Sequence, residues 1–82
     1  MNDKDLRRRA HDLDVTVWVG KGGIGAVVEE LDDQLRDRGL VKVKFLRAAR
    51  GGTDTEGLAA DLAERVGAEV LYTRGHTGVF HR

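Results

Sequence analysis

The sequence contains no cysteine, and this absence excludes two kinds of structure. Without thiols, a chain can form neither a disulfide framework nor a thiolate-bound metal site. The three histidines, His11, His76 and His81, also lack the spacing of a zinc cluster. We therefore expect neither a structural metal nor any other cofactor.

Long apolar runs are missing as well. Hydrophobic residues make up 40% and charged residues 34% of the 82 positions, and no apolar stretch is long enough to span a membrane or to act as a secretory leader. The length suits one domain, over residues 1–82, with a modest core and little room for an enclosed active site. We expect a cytoplasmic monomer that has no membrane partner and no small-molecule substrate.

The sequence also lacks an excess of charge of either sign. The 14 basic residues are balanced by 14 acidic ones, so the formal net charge is zero. Bulk charge therefore does not indicate a nucleic-acid-binding protein. Any such function must rest on where the basic residues lie.

Three segments repeat apolar residues at intervals of three and four positions, which predicts helices with one buried face. The first covers residues 3–13, and the second begins at Ile24 and ends at Gly39. The third follows a capping box, Thr53-x-x-Glu56, and ends at Gly67. The exposed face of the second helix is mostly acidic, so it would repel a phosphate backbone.

Four segments have the composition or the alternation of β-strands: residues 15–19, 40–46, 69–74 and 78–81. The last two flank Arg74-Gly75-His76-Thr77, in which glycine at the first central position predicts a type II′ turn. The order αβαβαββ predicts an α/β domain with right-handed crossovers, a mainly parallel sheet and an antiparallel hairpin at its end.

Trp18, in the first predicted strand, is the only tryptophan. Residues that stack on nucleic-acid bases are usually one of several aromatics on an open face. We therefore expect Trp18 to pack in the core or at the sheet edge rather than to stack on a base.

The first strand and the second helix are joined by a GxxG loop, Gly20-Lys21-Gly22-Gly23. Amides without a neighbouring Cβ, with Lys21 at the tip, can approach a nucleic-acid backbone closely. The same glycines could also serve only as a strand-to-helix turn, because a short glycine motif is weak evidence of function.

Gly20, Gly22 and Gly25 also satisfy the spacing of the dinucleotide fingerprint. That fingerprint needs an acid near the end of the second strand, where this sequence has Leu46 followed by Arg47. A small regulatory domain that binds a nucleotide or dinucleotide through these three glycines is therefore the alternative function. A protein-binding adaptor that uses the acidic second helix is a third. No nucleophile or carboxylate stands at motif spacing from a histidine, so we expect no enzymatic activity.

Three stretches resemble the CRM domain family, named for chloroplast RNA splicing and ribosome maturation, and in particular its stand-alone prokaryotic members. They are residues 9–13 leading into residues 17–24, then Leu40-Val41-Lys42-Val43-Lys44-Phe45, and the final segment from Gly75 to Arg82. The resemblance implies a fold similar to the C-terminal domain of translation initiation factor 3, a four-stranded mixed sheet with helices packed on it. It also implies binding of ribosomal RNA in precursors of the large ribosomal subunit.

Three positions depart from the family pattern. Val15 stands where a proline often precedes the first strand, Gly78 replaces a bulkier residue, and His81 stands where an aromatic residue is common. These changes leave the GxxG loop intact. What they put in question is the packing of the last strand and any contact that it makes.

The expected RNA-binding residues combine the loop and strand positions implied by the resemblance with nearby basic residues. The set is Gly20, Lys21, Gly22, Gly23, Lys42, Lys44, Arg47, Arg50, Arg7, Arg8, Arg74 and His76, with no catalytic residue and no metal ligand. Arg7, Arg8 and Arg9 could equally be a solvated helix face. The same applies to Arg74, His76 and Arg82, which we expect to lie together.

Overall fold

The computed structural model describes residues 3–82. In it, strands and helices form at nearly the positions that the apolar patterns predict. The helices are α1 (Asp3–His11), α2 (Val28–Arg38) and α3 (Thr55–Val66). The strands are β1 (Val15–Val19), β2 (Leu40–Phe45), β3 (Glu69–Arg74) and β4 (Thr77–His81). Short 3₁₀ helices cover Ile24–Val27 and Arg47–Ala49. The expected mixed α/β fold is confirmed.

The sheet has the order β1-β2-β4-β3. The β1 and β2 strands are parallel, whereas β4 pairs antiparallel with both β2 and β3. The expectation of a mainly parallel sheet was wrong, because β4 folds back from the hairpin and inserts between β2 and β3. Only one of the neighbouring strand pairs in residues 3–82 is parallel.

The main core lies between one face of the sheet and a layer formed by α2 and α3, which we call the helix layer. Leu31 and Leu35 of α2 and Leu62 of α3 pack there against inward-facing residues of the strands. Phe45 and Phe80 are the largest fully buried side chains. Burial of this apolar surface holds the helix layer on the sheet.

Gly78 is buried in β4 and packs between two aromatic rings. A Cβ at this position would lie 3.4 Å from the rings of both Phe45 and Phe80 and 3.5 Å from Ala59. The two rings therefore occupy the volume that a bulkier strand residue would fill.

The opposite face of the sheet carries α1. Ala10 of α1 packs with Leu40 and Val79, and Leu13 joins this smaller cluster just beyond the end of the helix. Leu6 is buried as well, so the predicted apolar stripe of the first helix is confirmed. Because α1 covers the Leu40 end of β2, the other end of this sheet face stays open.

Two predicted helix starts were wrong in detail. The segment after the glycine loop begins with 3₁₀ turns, and α2 itself begins at Val28. The capping residue of α3 is Asp54, whose Oδ1 accepts a hydrogen bond of 2.6 Å from the Gly57 amide, and Thr53 does not cap the helix. Both predicted C-terminal ends are confirmed, because Gly39 and Gly67 adopt the left-handed conformation there.

No helix within residues 3–82 is long and apolar enough to cross a membrane.

Candidate nucleic-acid interface

Three connections meet at one end of the sheet, which we call the loop end. They are the Gly20–Gly23 loop after β1, the segment 46–50 after β2 and the turn between β3 and β4. Hydrogen bonds join neighbouring connections, from the Leu46 amide to the Val19 carbonyl at 2.8 Å and from the Phe45 amide to the His76 carbonyl at 2.7 Å. The topology therefore gathers three segments that are far apart in sequence.

The glycine loop is a tight turn that is closed by its own backbone. The Gly23 amide donates to the Gly20 carbonyl at 3.0 Å. Gly23 has φ 75° and ψ −178°, a conformation that is essentially limited to glycine. A Cβ on Gly22 would lie 3.1 Å from the Ala26 Cβ, which is closer than almost all real contacts. The backbone conformation therefore requires glycine at position 23, and the close approach to Ala26 favours glycine at position 22.

The tip of this loop has unused hydrogen-bond donors. Within residues 3–82, the amides of Lys21 and Gly22 make no hydrogen bond, and both residues are exposed. With the Lys21 ammonium group beside them, these amides form a small donor surface that suits a phosphate oxygen.

Exposed basic side chains lie along the loop end without acidic partners. Lys21, Lys44, Arg47 and Arg74 are all exposed. In the part of the chain that the structure describes, no ion pair involves any of them. Their charges are therefore available to an anionic partner. The turn that carries Arg74 has a positive φ only at Gly75, as the predicted type II′ geometry requires.

Arg50 and His76 line an open polar cleft between the segment after β2 and the β3–β4 turn. The Arg50 Nε donates to the Phe45 carbonyl at 3.1 Å, and the His76 Nδ1 lies 3.4 Å from the Thr55 Oγ1. The carboxylates of Asp54 and Glu56 line the same cleft. Because of these acids, the cleft is less favourable to phosphate than the glycine loop.

Lys42 and Lys44 share one sheet face, as their spacing predicts, but their surroundings differ. Lys44 pairs with Trp18 and Thr77 on neighbouring strands and is exposed near the loop end. Lys42 pairs with Val79, which packs against α1, and it is half-buried. Lys44 is the better placed of the two for a ligand at the loop end.

The first-helix arginines occupy a separate region. The Arg7 guanidinium lies 5.9 Å from the centre of the Tyr72 ring, and its Nη2 donates to the Leu71 carbonyl at 3.4 Å. Arg7 therefore joins α1 to β3. Arg8 is exposed on α1. Neither residue belongs to the loop end, and their proposed RNA contacts remain predictions.

Arg82 does not lie with Arg74 and His76, so that expectation was wrong. It follows β4 at the opposite end of the strand, where its Nη2 donates to the Asp32 Oδ1 at 2.5 Å and to the Val66 carbonyl. The hydrogen bond from Arg82 lowers the pKa of the Asp32 carboxyl below its ordinary value, and the Arg36 charge acts in the same direction. Arg82 therefore connects the end of β4 to the helix layer.

Trp18 was expected to be a packing residue, yet its side chain is 54% exposed. Val17 and Val19 face the core, so Trp18 points to the other sheet face, beyond the cover of α1. The alternation of valines in residues 15–19 could have indicated this orientation. The sequence could not show that the face would be open there.

The sheet order disfavours the alternative dinucleotide site. In dinucleotide-binding domains the pyrophosphate lies in a crevice between strands on both sides of the first strand. Here β1 is an edge strand, so no such crevice can form above Gly20, Gly22 and Gly25. Among the residues that the structure describes, no group of three or more histidine and acidic side chains is arranged to hold a metal ion.

Comparisons with known proteins agree with this architecture. The family model of the CRS1/YhbY (CRM) domain matches residues 2–82. A probable RNA-binding protein of Methanocaldococcus jannaschii is 46% identical over 71 residues, which are 87% of this chain and 53% of that protein. The chain thus spans about half the length of this curated relative.

The fold is also similar to a solved structure. The solution structure of a Staphylococcus aureus protein, described as a candidate RNA-binding protein, superposes with a TM-score of 0.80 at 32% sequence identity. The match covers 98% of this chain and 82% of that one.

Proposed function

The chain belongs to the CRS1/YhbY (CRM) domain family, and from that premise we propose that it binds RNA through its loop end. We propose further that the RNA is ribosomal and that the protein assists assembly of the large ribosomal subunit in the cytoplasm, without catalysing a reaction. The names of the relatives support the RNA-binding part of this proposal. The ribosomal target follows from the resemblance to stand-alone prokaryotic family members.

One observation carries the assignment to the loop end. Lys21, Lys44, Arg47 and Arg74 converge there, although the chain as a whole has no net charge. Their ammonium and guanidinium groups have no ion-pair partners within residues 3–82. Exposed cations without internal partners lower the free energy of a phosphate backbone placed beside them, and each contact releases a counterion from the RNA.

The glycine loop adds a geometric component to this electrostatic one. Its free amides at Lys21 and Gly22 can donate to a phosphate oxygen from a surface that carries no Cβ at Gly22. Such contacts recognise the backbone and its shape but not the base sequence. We therefore expect weak sequence preference and strong dependence on salt.

Filter retention of a labelled fragment of large-subunit ribosomal RNA tests the proposal. We expect binding that weakens as potassium chloride is raised, and we expect Lys21→Ala to reduce affinity by roughly tenfold. Lys4→Ala is the matched control, because Lys4 is an exposed lysine on α1, outside the loop end. Equal affinity of the two variants would contradict an interface at the glycine loop.

The assembly role has its own measurement. A tagged chain should sediment with precursors of the large subunit in a lysate gradient, and Lys21→Ala should reduce that fraction. If the chain binds RNA in the filter assay but stays at the top of the gradient, the RNA-binding proposal stands and the ribosomal one fails.

A further inference from the structure

Two exposed apolar side chains at the loop end have no part in the binding described so far. Trp18 is 54% exposed and Leu46 is 37% exposed, and these are the exposed large hydrophobic residues of the part that the structure describes. Leu46 lies beside the glycine loop, because its Cδ1 is 3.8 Å from the position that a Cβ on Gly20 would occupy. Exposed apolar surface gathered at one corner of a domain commonly marks a binding site.

Trp18 begins a row of side chains that crosses the whole sheet. Its partner on β2 is Lys44, which pairs with Thr77 on β4, and Thr77 pairs with Arg74 on β3. Directly paired residues project to the same face. The open end of this face thus presents one aromatic ring and two exposed cations in line.

We propose that the Trp18 indole is a stacking surface for an unpaired RNA base, whose neighbouring phosphates are bound by Lys44 and by the Gly20–Gly23 loop. This inference rests on the proposed function and specifies the RNA further. Aromatic rings stack on any base, and flanking cations bind the backbone on either side of it. A fully paired duplex cannot offer such a base without unpairing, so the interface should prefer RNA that contains unpaired nucleotides.

The surroundings of Trp18 favour RNA over a second copy of this chain as the partner of this surface. Strand β1 is an edge strand, but it has an irregularity between Val15 and Val17. The Gln34 Nε2 donates to the Thr16 carbonyl at 3.3 Å, so part of the edge is already occupied. Bulges and covered groups of this kind prevent pairing between edges. The cationic neighbour Lys44 complements a phosphate and would repel the same residue of a second copy.

Intrinsic fluorescence measures the proposed contact directly, because Trp18 is the only tryptophan in the chain. The probes are a short mixed-sequence RNA strand without self-pairing and the duplex that it forms with its complement. We expect the single strand to quench and shift the Trp18 emission, and to bind several-fold more tightly than the duplex.

Variants at Trp18 separate aromatic stacking from general apolar contact. We expect Trp18→Ala and Trp18→Leu to reduce affinity for the single strand roughly five- to hundredfold, and Trp18→Phe to retain most of it. Affinity for the duplex should change little. Because more than half of the side chain is exposed, the variants should keep the fold, which far-ultraviolet circular dichroism checks.

The outcomes distinguish this inference from the proposed function. One outcome is that the single strand and the duplex bind with equal affinity and with salt dependence, that Trp18 emission does not change, and that Trp18→Ala leaves the affinity unchanged. The stacking inference is then overturned and the RNA-binding proposal stands. If neither probe binds but the ribosomal RNA fragment is retained in the filter assay, the stacking inference is overturned and the RNA-binding proposal stands. If no RNA binds in either assay, both are overturned. A dimer in sedimentation that Trp18→Ala dissociates would assign the surface to a second copy and overturn the inference as well.

Discussion

The loop end and the helix layer contain the same types of charged residue but use them in different ways. Three arginines are paired with acids of the helix layer: Arg36 with Asp32 at 2.8 Å, Arg65 with Asp61 at 3.5 Å, and Arg82, which follows β4, with Asp32 at 2.5 Å. At the loop end, the exposed cations lack such pairs within residues 3–82. A net charge of zero therefore conceals a helix layer in which acids outnumber arginines and a loop end with exposed, unpaired cations.

This difference shows why composition alone was a poor guide to function. An ion pair on a surface satisfies both partners locally and leaves little field for a ligand. Unpaired cations that lie along one end of the sheet generate a local potential, whatever the total charge. Variants in each region test this contrast.

The largest effect should come from removing the cations of the loop end. The triple variant Lys21→Ala, Lys44→Ala and Arg47→Ala should bind RNA on the order of a hundredfold more weakly, because it loses phosphate contacts. The slope of log affinity against log salt should fall by about two. Filter retention over a salt series measures both quantities.

A control variant of equal net charge tests location against total charge. Replacing Lys4, Arg36 and Arg65 by alanine also removes three cations, all of them exposed and outside the loop end. We expect this variant to keep most of the affinity. If both triple variants lose the same affinity, the contrast between the regions has no functional meaning.

Adding a single methyl group to the glycine loop should lower the stability of the fold. Gly23→Ala places a Cβ on a backbone with φ 75° and ψ −178°, which should reduce the free energy of unfolding by roughly 1–3 kcal/mol. Gly51→Ala is the control, since a Cβ there would meet nothing within 4 Å and no positive φ is involved. Urea unfolding compares them, and equal stability would show that the loop geometry is not strained by a side chain.

A smaller effect on stability is expected at two neighbouring arginines of α1, Arg7 and Arg8. Arg7→Ala removes the contact with Tyr72 and should reduce the free energy of unfolding by about 0.5–1 kcal/mol. Arg8→Ala should change stability by less, because Arg8 is exposed and makes no such contact. Thermal or urea unfolding compares the stability of the two variants. A loss of RNA affinity in Arg8→Ala without loss of stability would extend the interface onto α1.

The smallest effect should appear in the helix layer as a dependence on pH. The pKa of the Asp32 carboxyl is lowered in the folded state, chiefly by the Arg82 hydrogen bond, so its contribution to stability is present above the unfolded pKa near 3.8. That contribution is lost as pH falls through the lower native pKa. Asp32→Asn should therefore be slightly less stable than the natural chain at neutral pH.

The pH series for this variant has a defined end point. The stability difference should shrink below about pH 4, where the unfolded carboxyl takes up a proton. Asp33→Asn is the control, since the Asp33 carboxylate lies 3.9 Å from the Arg36 Nη1 and is largely exposed. A difference that stays constant from neutral to acid pH would argue against the Asp32–Arg82 interaction as its source.

Local sequence patterns predicted most of the secondary structure. The bounds of β1 and β3 match the predicted residues 15–19 and 69–74, because alternation and turn-forming glycines act within a few residues. The capping residue Asp54 was missed, because Thr53-x-x-Glu56 competes with it at the same helix start. Which of two adjacent capping residues is used depends on the path of the preceding turn.

Long-range relations were predicted less well. Periodicity shows that a strand has a buried face but does not name its partner strand, so the insertion of β4 between β2 and β3 was not predicted. Arg82 was assigned to the wrong end of β4 for a related reason. The strand places its first and last residues at opposite ends of the sheet, and Arg82 follows the last one.

The glycine loop and its lysine were evident from the sequence, because tight turns depend on the residues within them. The openness of the sheet face around Trp18 depends on where α1 packs, and that is decided by the burial of Ala10 and Leu40. The ion pairs Arg36–Asp32 and Arg65–Asp61 are local i,i+4 pairs within a helix, whereas the Arg82–Asp32 pair depends on where β4 ends. Local sequence patterns specify the helices, the strands and the glycine loop. The strand order and the packing of α1 bring the exposed cations and the Trp18 ring together at one end of the sheet, because these contacts join residues that are far apart in the chain.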